Sequence, residues 1–248
     1  MSGGGGSLLK LSDRTVRFGL KPAVFLAALG PFVYLVWAAL TGNLSANPLS
    51  DLTNETGVWT LRFLCITIAI TPLRKLTGWN ALIRFRRMAG LFAFFYGTMH
   101  LLTYAVVDRF AGLDQAVGWV DAIGAGHLPG VMLVASTARA MATSIGADIY
   151  KRPFITIGFS TWLSMAPLAV TSTAGWIRRM GGKRWNRLHR LVYLTATLGV
   201  VHYWWLVKAD VSRPLTYGAV VGTLLAARVY WARTKRLAAV PVRTAPRA

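Results

Sequence analysis

Four histidines occur in the 248-residue chain, His100, His127, His189 and His202, and two of them stand where a histidine is costly. His100 lies inside the apolar run 88–107 and His202 inside the run 191–207. An ionisable side chain within such a run is expensive to keep there and marks function by default. At about 1.5 Å per helical residue, His100 falls roughly 18 Å beyond the start of its run and His202 roughly 17 Å beyond the start of its own. If both runs cross in one direction, two imidazoles share one depth on two parallel helices. The chemistry that uses such a pair is axial ligation of a b-type haem, with one imidazole nitrogen on each face of the porphyrin and an apolar slot between helices for the macrocycle. One such histidine taken alone reads as a simple interhelical hydrogen-bonding group, whereas a depth-matched pair on parallel helices favours the haem.

His189 sits two residues before its run, at the inner mouth, and the matching place before the earlier run holds Arg86. On an ideal helix Arg86 and His100 come within about 40° of a common face, whereas His189 and His202 miss by about 140°. A second, inner site built from His189 and Arg86 therefore requires the inner end of the later helix to be irregular. His127 lies among Gly and Pro residues and reads as an ordinary loop histidine. The single cysteine, Cys65, lies inside an apolar run. That excludes a disulfide framework, a Cys-ligated iron–sulfur or zinc site, and covalent haem attachment through C-x-x-C-H.

The elements that must carry these residues follow from composition. Hydrophobic residues make up 54% of the chain and charged residues 15%, against about 25% charged in a soluble domain. The net charge of +20 does not mark a nucleic-acid binder, because the basic residues fall between apolar runs and suit phospholipid headgroups instead. Six runs reach spanning length: 22–41, 57–73, 88–107, 154–175, 191–207 and 214–231. Only helices satisfy their own backbone groups in lipid, so the expected fold is all-α, a six-helix membrane bundle. Six spans place 21 basic residues on one side and 6 on the other, with Arg62 within a span. The positive-inside rule then puts both termini in the cytoplasm. The expected divisions are a tail at 1–21, the bundle at 22–231 with a long outer loop at 108–153, and a tail at 232–248. Within that loop, 117–136 is apolar but holds Asp121, Pro129 and His127, and reads as an interfacial or re-entrant helix. The apolar run after the N-terminal tail has no small-residue cleavage site at its end and is expected to be an uncleaved anchor. Pro31 and Pro167 read as tolerated kinks.

The stretches "ITPLRK", "LIRFRRMAGL", "MHLLTYA", "KRPFITIGFSTW", "TSTAGW", "WNRLHRLVYL" and "VHYWWLVK" resemble, in order and across all six runs, the MsrQ (YedZ) family. That family is the haem-binding membrane subunit of the bacterial periplasmic methionine sulfoxide reductase system, within the ferric-reductase-like transmembrane group. The resemblance implies haem b, one or two per chain, and FMN. It also implies an inner-membrane location and electron delivery to a periplasmic molybdenum-containing reductase that repairs oxidised methionines. The family's haem histidines fall on His100, His189 and His202, and its inner basic position on Arg86. The loop 108–153 is longer than the family pattern.

Arg62 is a candidate partner for a haem propionate or a residue snorkelling to the interface. The basic cluster 178–190 is a candidate for FMN phosphate or quinone-side groups, or an orientation signal alone. Seventeen residues follow Trp231, too few for appended FAD and nicotinamide domains, and no G-x-G-x-x-G or Walker pattern occurs. Reducing power is thus expected from membrane quinol or a separate flavin reductase, with sulfoxide reduction itself on the partner. Two other functions compete: a stand-alone ferric or cupric reductase, and a non-redox transporter or assembly factor. The absence of Gly/Pro-broken spans in matched halves speaks against the transporter, and no internal repeat is evident.

Overall fold

The computed structural model describes residues 12–108, 115–207 and 209–238. The glycine-rich start of the N-terminal tail, Arg109, Lys208 and residues 239–248 lie outside them. Ten helices are described: α1 (Asp13–Leu40), α2 (Pro48–Thr77), α3 (Ile83–Leu102), α4 (Gln115–Gly124), α5 (Val131–Lys151), α6 (Pro153–Val170), α7 (Ala174–Met180), α8 (Gly182–Leu188), α9 (Leu191–Leu206) and α10 (Ser212–Ala238). A π-helical stretch, Val16–Leu20, lies within α1, and another, Thr103–Asp108, follows α3.

Local chemistry sets the ends. Asn47 caps α2, its side-chain carbonyl accepting from the Ser50 N–H at 3.1 Å, with Pro48 at the first helical position. Gly78, at φ +69°, closes the same helix in the left-handed conformation that an L side chain avoids. The fourth expected run stops at Val170, short of the predicted 175, because Thr173 caps a new helix by accepting from the Trp176 N–H. The segment 117–136 is two helices rather than one. The chain turns at Gly126, with φ +74°, and Gly130 starts α5, which runs to Lys151. His127 lies in that turn and is exposed.

Packing is tightest between α2 and α3 and between α6 and α9. Ala89, Ala93 and Gly97 recur every fourth residue on α3, the small-residue spacing that lets membrane helices approach, and Gly97 meets Thr60 of α2. Phe63 stacks on both Phe92 and Tyr96 at 5.4 Å. Between α6 and α9, Ser164 and Thr195 hydroxyls share a hydrogen bond of 2.7 Å. Outward faces are apolar: Leu40, Phe18 and Leu26 are all exposed, as a lipid-facing surface requires.

Four helical stretches are long and apolar enough to cross a membrane among the described residues: Asp13–Leu40, Pro48–Thr77, Asn80–Val107 and Pro153–Val170. The fifth and sixth expected runs are also helical, but α9 has 16 residues and α10 carries Arg228 within its apolar stretch.

Tyr96 resolves the cost of Pro31. A proline has no N–H, and its ring pushes against the carbonyl one turn back, opening the helix. Next to that opening, the Tyr96 hydroxyl donates to the Ala28 carbonyl at 2.8 Å and accepts from the Phe32 N–H at 3.1 Å. The phenol thus bridges two backbone groups that an unbroken α1 would pair with each other. Removing it leaves both in an apolar core. Tyr96→Phe is expected to lower stability by about 1–3 kcal/mol, read as a fall in the thermal unfolding midpoint in detergent; an unchanged midpoint would show that the turn closes unaided.

Candidate functional site

α3 and α9 bring His100 and His202 together. Their ring centres are 6.1 Å apart and their planes cross at 79°. Each imidazole is oriented by the helix beside it. The His100 Nδ1–H donates to the Thr53 carbonyl of α2 at 2.8 Å, and the His202 Nδ1–H donates to the Phe154 carbonyl of α6 at 2.7 Å. A carbonyl only accepts, so these bonds place the proton on Nδ1 and leave the Nε2 lone pair free in both rings. Among the described residues neither Nε2 takes a hydrogen bond. Metal-bound histidines are held in this way, the bond at the far nitrogen fixing tautomer and ring direction.

Both rings depend on a glycine one turn after the accepting carbonyl. Gly57 follows Thr53 by four residues, and a Cβ there would stand 3.1 Å from His100 Nδ1. Gly158 follows Phe154 by four, and its Cβ would stand 2.6 Å from His202 Cε1, well inside van der Waals contact. The imidazoles lie flat along α2 and α6 because no side chain projects there. Two further glycines, Gly97 and Gly199, precede His100 and His202 by three residues each and line the same space. The sequence shows no internal repeat, yet two helix pairs repeat one local device.

Two cavities flank the histidine pair and share it. One, about 340 Å³, extends past Leu61, Gly199 and Thr161 to Arg213. The other, about 260 Å³, extends past Phe154 and Ile149 to Arg152. Arg152 is paired with Asp148 at 3.3 Å, and Asp148 also accepts from the Tyr104 hydroxyl at 2.6 Å. Linings are predominantly apolar. Among the described residues no three His, Cys, Asp or Glu side chains converge, so the donor set is two imidazoles. Two imidazoles bound on opposite sides of one metal, at about 2 Å per bond and ~1 Å from nitrogen to ring centre, have ring centres about 6 Å apart. The two imidazoles fit the donor set of a bis-imidazole haem, and the flanking cavities are the space that its macrocycle would need.

His189 lies elsewhere. It follows α8 and precedes α9, so it is not part of the helix that carries His202. Its ring stacks on Trp185 at 3.8 Å. The Thr171 hydroxyl donates to the Pro167 carbonyl at 2.6 Å, and therefore accepts at 3.1 Å from His189, whose Nε2 carries the proton. Burial, and then the nearby Arg86 guanidinium, hold this imidazole down at about 4, neutral at pH 7. His189 and Arg86 line a third, inner cavity of about 530 Å³. Leu64 and Met165 line both this cavity and the 340 Å³ one, so a single layer of side chains divides them.

Arg62 is held away from both histidine cavities: its guanidinium lies 4.4 Å over the Trp59 ring and its Nε donates to the Tyr217 hydroxyl at 3.2 Å. Of the basic cluster 178–190, only Arg190 lines the inner cavity. Sequence reasoning does not reach Gly57, Gly158 or the two accepting carbonyls, although the repeated three-residue spacing of Gly97 and Gly199 ahead of the histidines is a legible signal.

Residues 56–200 match the family described as ferric reductase like transmembrane component. A relative from Herminiimonas arsenicoxydans, named protein-methionine-sulfoxide reductase heme-binding subunit MsrQ, is 45% identical over 88% of this chain and 87% of its own length. Identically named relatives are 47% identical in Ralstonia nicotianae, over 89% of this chain and 87% of theirs, and 46% identical in Rhodospirillum rubrum, over 94% and 96%. No solved structure matches. The order of the motifs, the helical architecture and these likenesses agree: the chain is a membrane protein of the MsrQ family, within the ferric-reductase-like transmembrane group.

Proposed function

We propose that the protein is a haem b electron-transfer subunit. It carries electrons from a quinol or flavin donor across the bacterial inner membrane to a periplasmic, molybdenum-containing methionine sulfoxide reductase. The observation that carries the proposal is the His100–His202 pair, 6.1 Å between ring centres with each Nδ1 tied to a backbone carbonyl. The relatives' name supports the same reading, since it describes a haem-binding subunit of a protein-methionine-sulfoxide reductase. When bound, haem supplies reversible one-electron chemistry at iron.

The chain's own residues do the rest. His100 and His202 present neutral Nε2 atoms to the metal. The Thr53 and Phe154 carbonyls hold the rings and raise their basicity. Gly57, Gly158, Gly97 and Gly199 leave room where side chains would intrude. Arg213 and Arg152, at the ends of the two flanking cavities, are the cations within reach of the porphyrin carboxylates. Leu64 and Met165 keep the way between the inner and outer cavities short. FMN is the proposed second redox group, on the inner side.

In this reading α9 and α10 complete six spans, with both termini in the cytoplasm. The support is the distribution of charge: six spans leave 21 basic residues on the inner side, counting Arg228 near the inner end of α10, and 6 on the outer. α4 and α5 then lie outside, where the partner docks.

The test is a visible spectrum of purified protein, air-oxidised and then reduced with dithionite. A Soret band is expected, and its absence after expression with ample haem contradicts the proposal. His100→Ala and His202→Ala are each expected to remove the band, while His127→Ala leaves it intact. Gly158→Ala keeps both ligands but drives a methyl into the His202 ring. It is expected to lose most of the haem or shift its low-spin bands, whereas Gly146→Ala, on open space, changes neither. Electron delivery is checked by reoxidation of reduced protein with and without the periplasmic reductase; equal rates would favour a stand-alone metal reductase.

A further inference from the structure

A buried carboxylate stands behind the wall of the cavity of about 260 Å³ beside the histidine pair. Asp148 of α5 is 8% exposed and does not itself line the cavity, but two residues bound to its side chain do. The Tyr104 hydroxyl donates to Asp148 Oδ2 at 2.6 Å, and Arg152 Nε pairs with Oδ1 at 3.3 Å. A carboxylate is costly to bury unless donors and cations meet it. Here each oxygen faces a partner taken from the cavity lining.

Those partners sit at the supports of the two imidazoles. Tyr104 follows His100 by one turn, in the π-helical stretch after α3. Arg152 comes two residues before Phe154, whose carbonyl accepts from His202. It also forms the corner between α5 and α6: its N–H donates to the Asp148 carbonyl at 2.9 Å, and its own carbonyl accepts from the Ile155 N–H at 2.9 Å. Asp148 thus holds Arg152 by backbone and by side chain. The ion pair uses the Nε edge of the guanidinium and leaves its terminal nitrogens for another acceptor. The Arg152 side chain is 50% exposed, so without that pair it would turn freely into water.

Charge separates the roles open to Asp148. Reduction adds an electron to haem, so a cation held beside it favours the ferrous form and an anion the ferric form. As a bare negative charge Asp148 lowers the reduction potential. As a tether it raises the potential, by keeping a guanidinium in place. As a brace for the α5–α6 corner alone it does neither. Its place outside the lining, with Arg152 inside it, favours the tether.

We propose that Asp148 is a positioning residue for the haem site, holding the Arg152 guanidinium at the cavity, where a porphyrin carboxylate would meet it, with Tyr104 fixing the acid. The inference rests on the electron-transfer reading and deepens it. Trp119 of α4 donates to Thr137 of α5 at 3.0 Å, so α5 belongs to the outer hairpin, and a contact that fastens the hairpin to the bundle also sets a charge at the haem.

The test is a mediated redox titration of full-length, haem-loaded protein in neutral detergent, following the ferrous α band. R152M is expected to lower the ferrous-to-ferric ratio at fixed potential about fivefold, a midpoint shift of about 40 mV at about 59 mV per decade for one electron. In D148N the amide still accepts from Tyr104 but turns an N–H toward Arg152 Nε. Its midpoint is expected to fall too, opposite to the rise that loss of a negative charge alone would give. D148N/R152M is expected to match R152M, and D148E to recover part of the loss. R139M, an exposed arginine on the same helix, titrates as wild type. A rise or no change in D148N, additive shifts in the double variant, or a wild-type midpoint in R152M overturns the inference. Should D148N lose its Soret band, Y104F decides, since it removes one bond from the carboxylate and keeps its charge. A fall in Y104F that vanishes in the R152M background supports the tether, and a wild-type midpoint contradicts it. A wild type without a Soret band strikes the haem reading and this inference together, whereas haem-loaded variants whose midpoints ignore Asp148 strike this inference alone.

Discussion

Two hydrogen bonds from imidazole Nδ1–H to helix carbonyls, His100 to Thr53 and His202 to Phe154, are the constraint on which the rest of the site depends. They settle which nitrogen of each ring carries the proton and therefore which is free to bind a metal. They also join the simple interhelical reading of these histidines to the ligand reading. Each ring does tie two helices together, through Nδ1, and it does so in the way that leaves Nε2 available. Because both carbonyls already belong to helices, the bonds hold only if the ring lies close along the helix surface. Gly57 and Gly158 meet that demand, each one turn beyond its carbonyl.

That demand propagates into the fold. α2 must pack closely on α3 and α6 on α9, and small or hydroxyl-bearing residues sit at both seams. The kink at Pro31 is absorbed by Tyr96 of α3, one turn before His100, so α1 is fastened to the same helix that carries a candidate ligand. At the inner end the pattern changes. The chain leaves α6, makes two short helices and enters α9 only after His189, which gives His189 a different orientation, a different tautomer and a different cavity from His202.

Much of this was legible in the sequence, and the reason is geometric. Helical rise per residue is nearly invariant, so the depth match of His100 with His202 could be counted from run starts alone, and helical phase showed that His189 and His202 do not share a face of one helix. The glycine device was harder to see. Gly57 and Gly158 lie on helices other than those of the histidines they accommodate, and a single sequence does not state which helices touch. Arg228 is hidden for the same reason: on its own run it interrupts an apolar stretch, and its convergence with Arg86 on the inner cavity depends on tertiary packing. In the segment 117–136 the glycines and Pro129 argue against a plain span, but composition does not show where the chain turns: α4 ends at Gly124 and α5 begins after Gly130, with Gly126 at positive φ between them.

The central claim is that His100 and His202 share one iron with crossed rings. Electron paramagnetic resonance of the oxidised protein at liquid-helium temperature tests it most directly, since crossed imidazole planes on low-spin ferric haem give one strongly anisotropic, large-g feature. The 79° angle leads us to expect that feature, lost in both His100→Ala and His202→Ala. A three-line rhombic spectrum of parallel imidazoles, or a signal that survives either substitution, would contradict it.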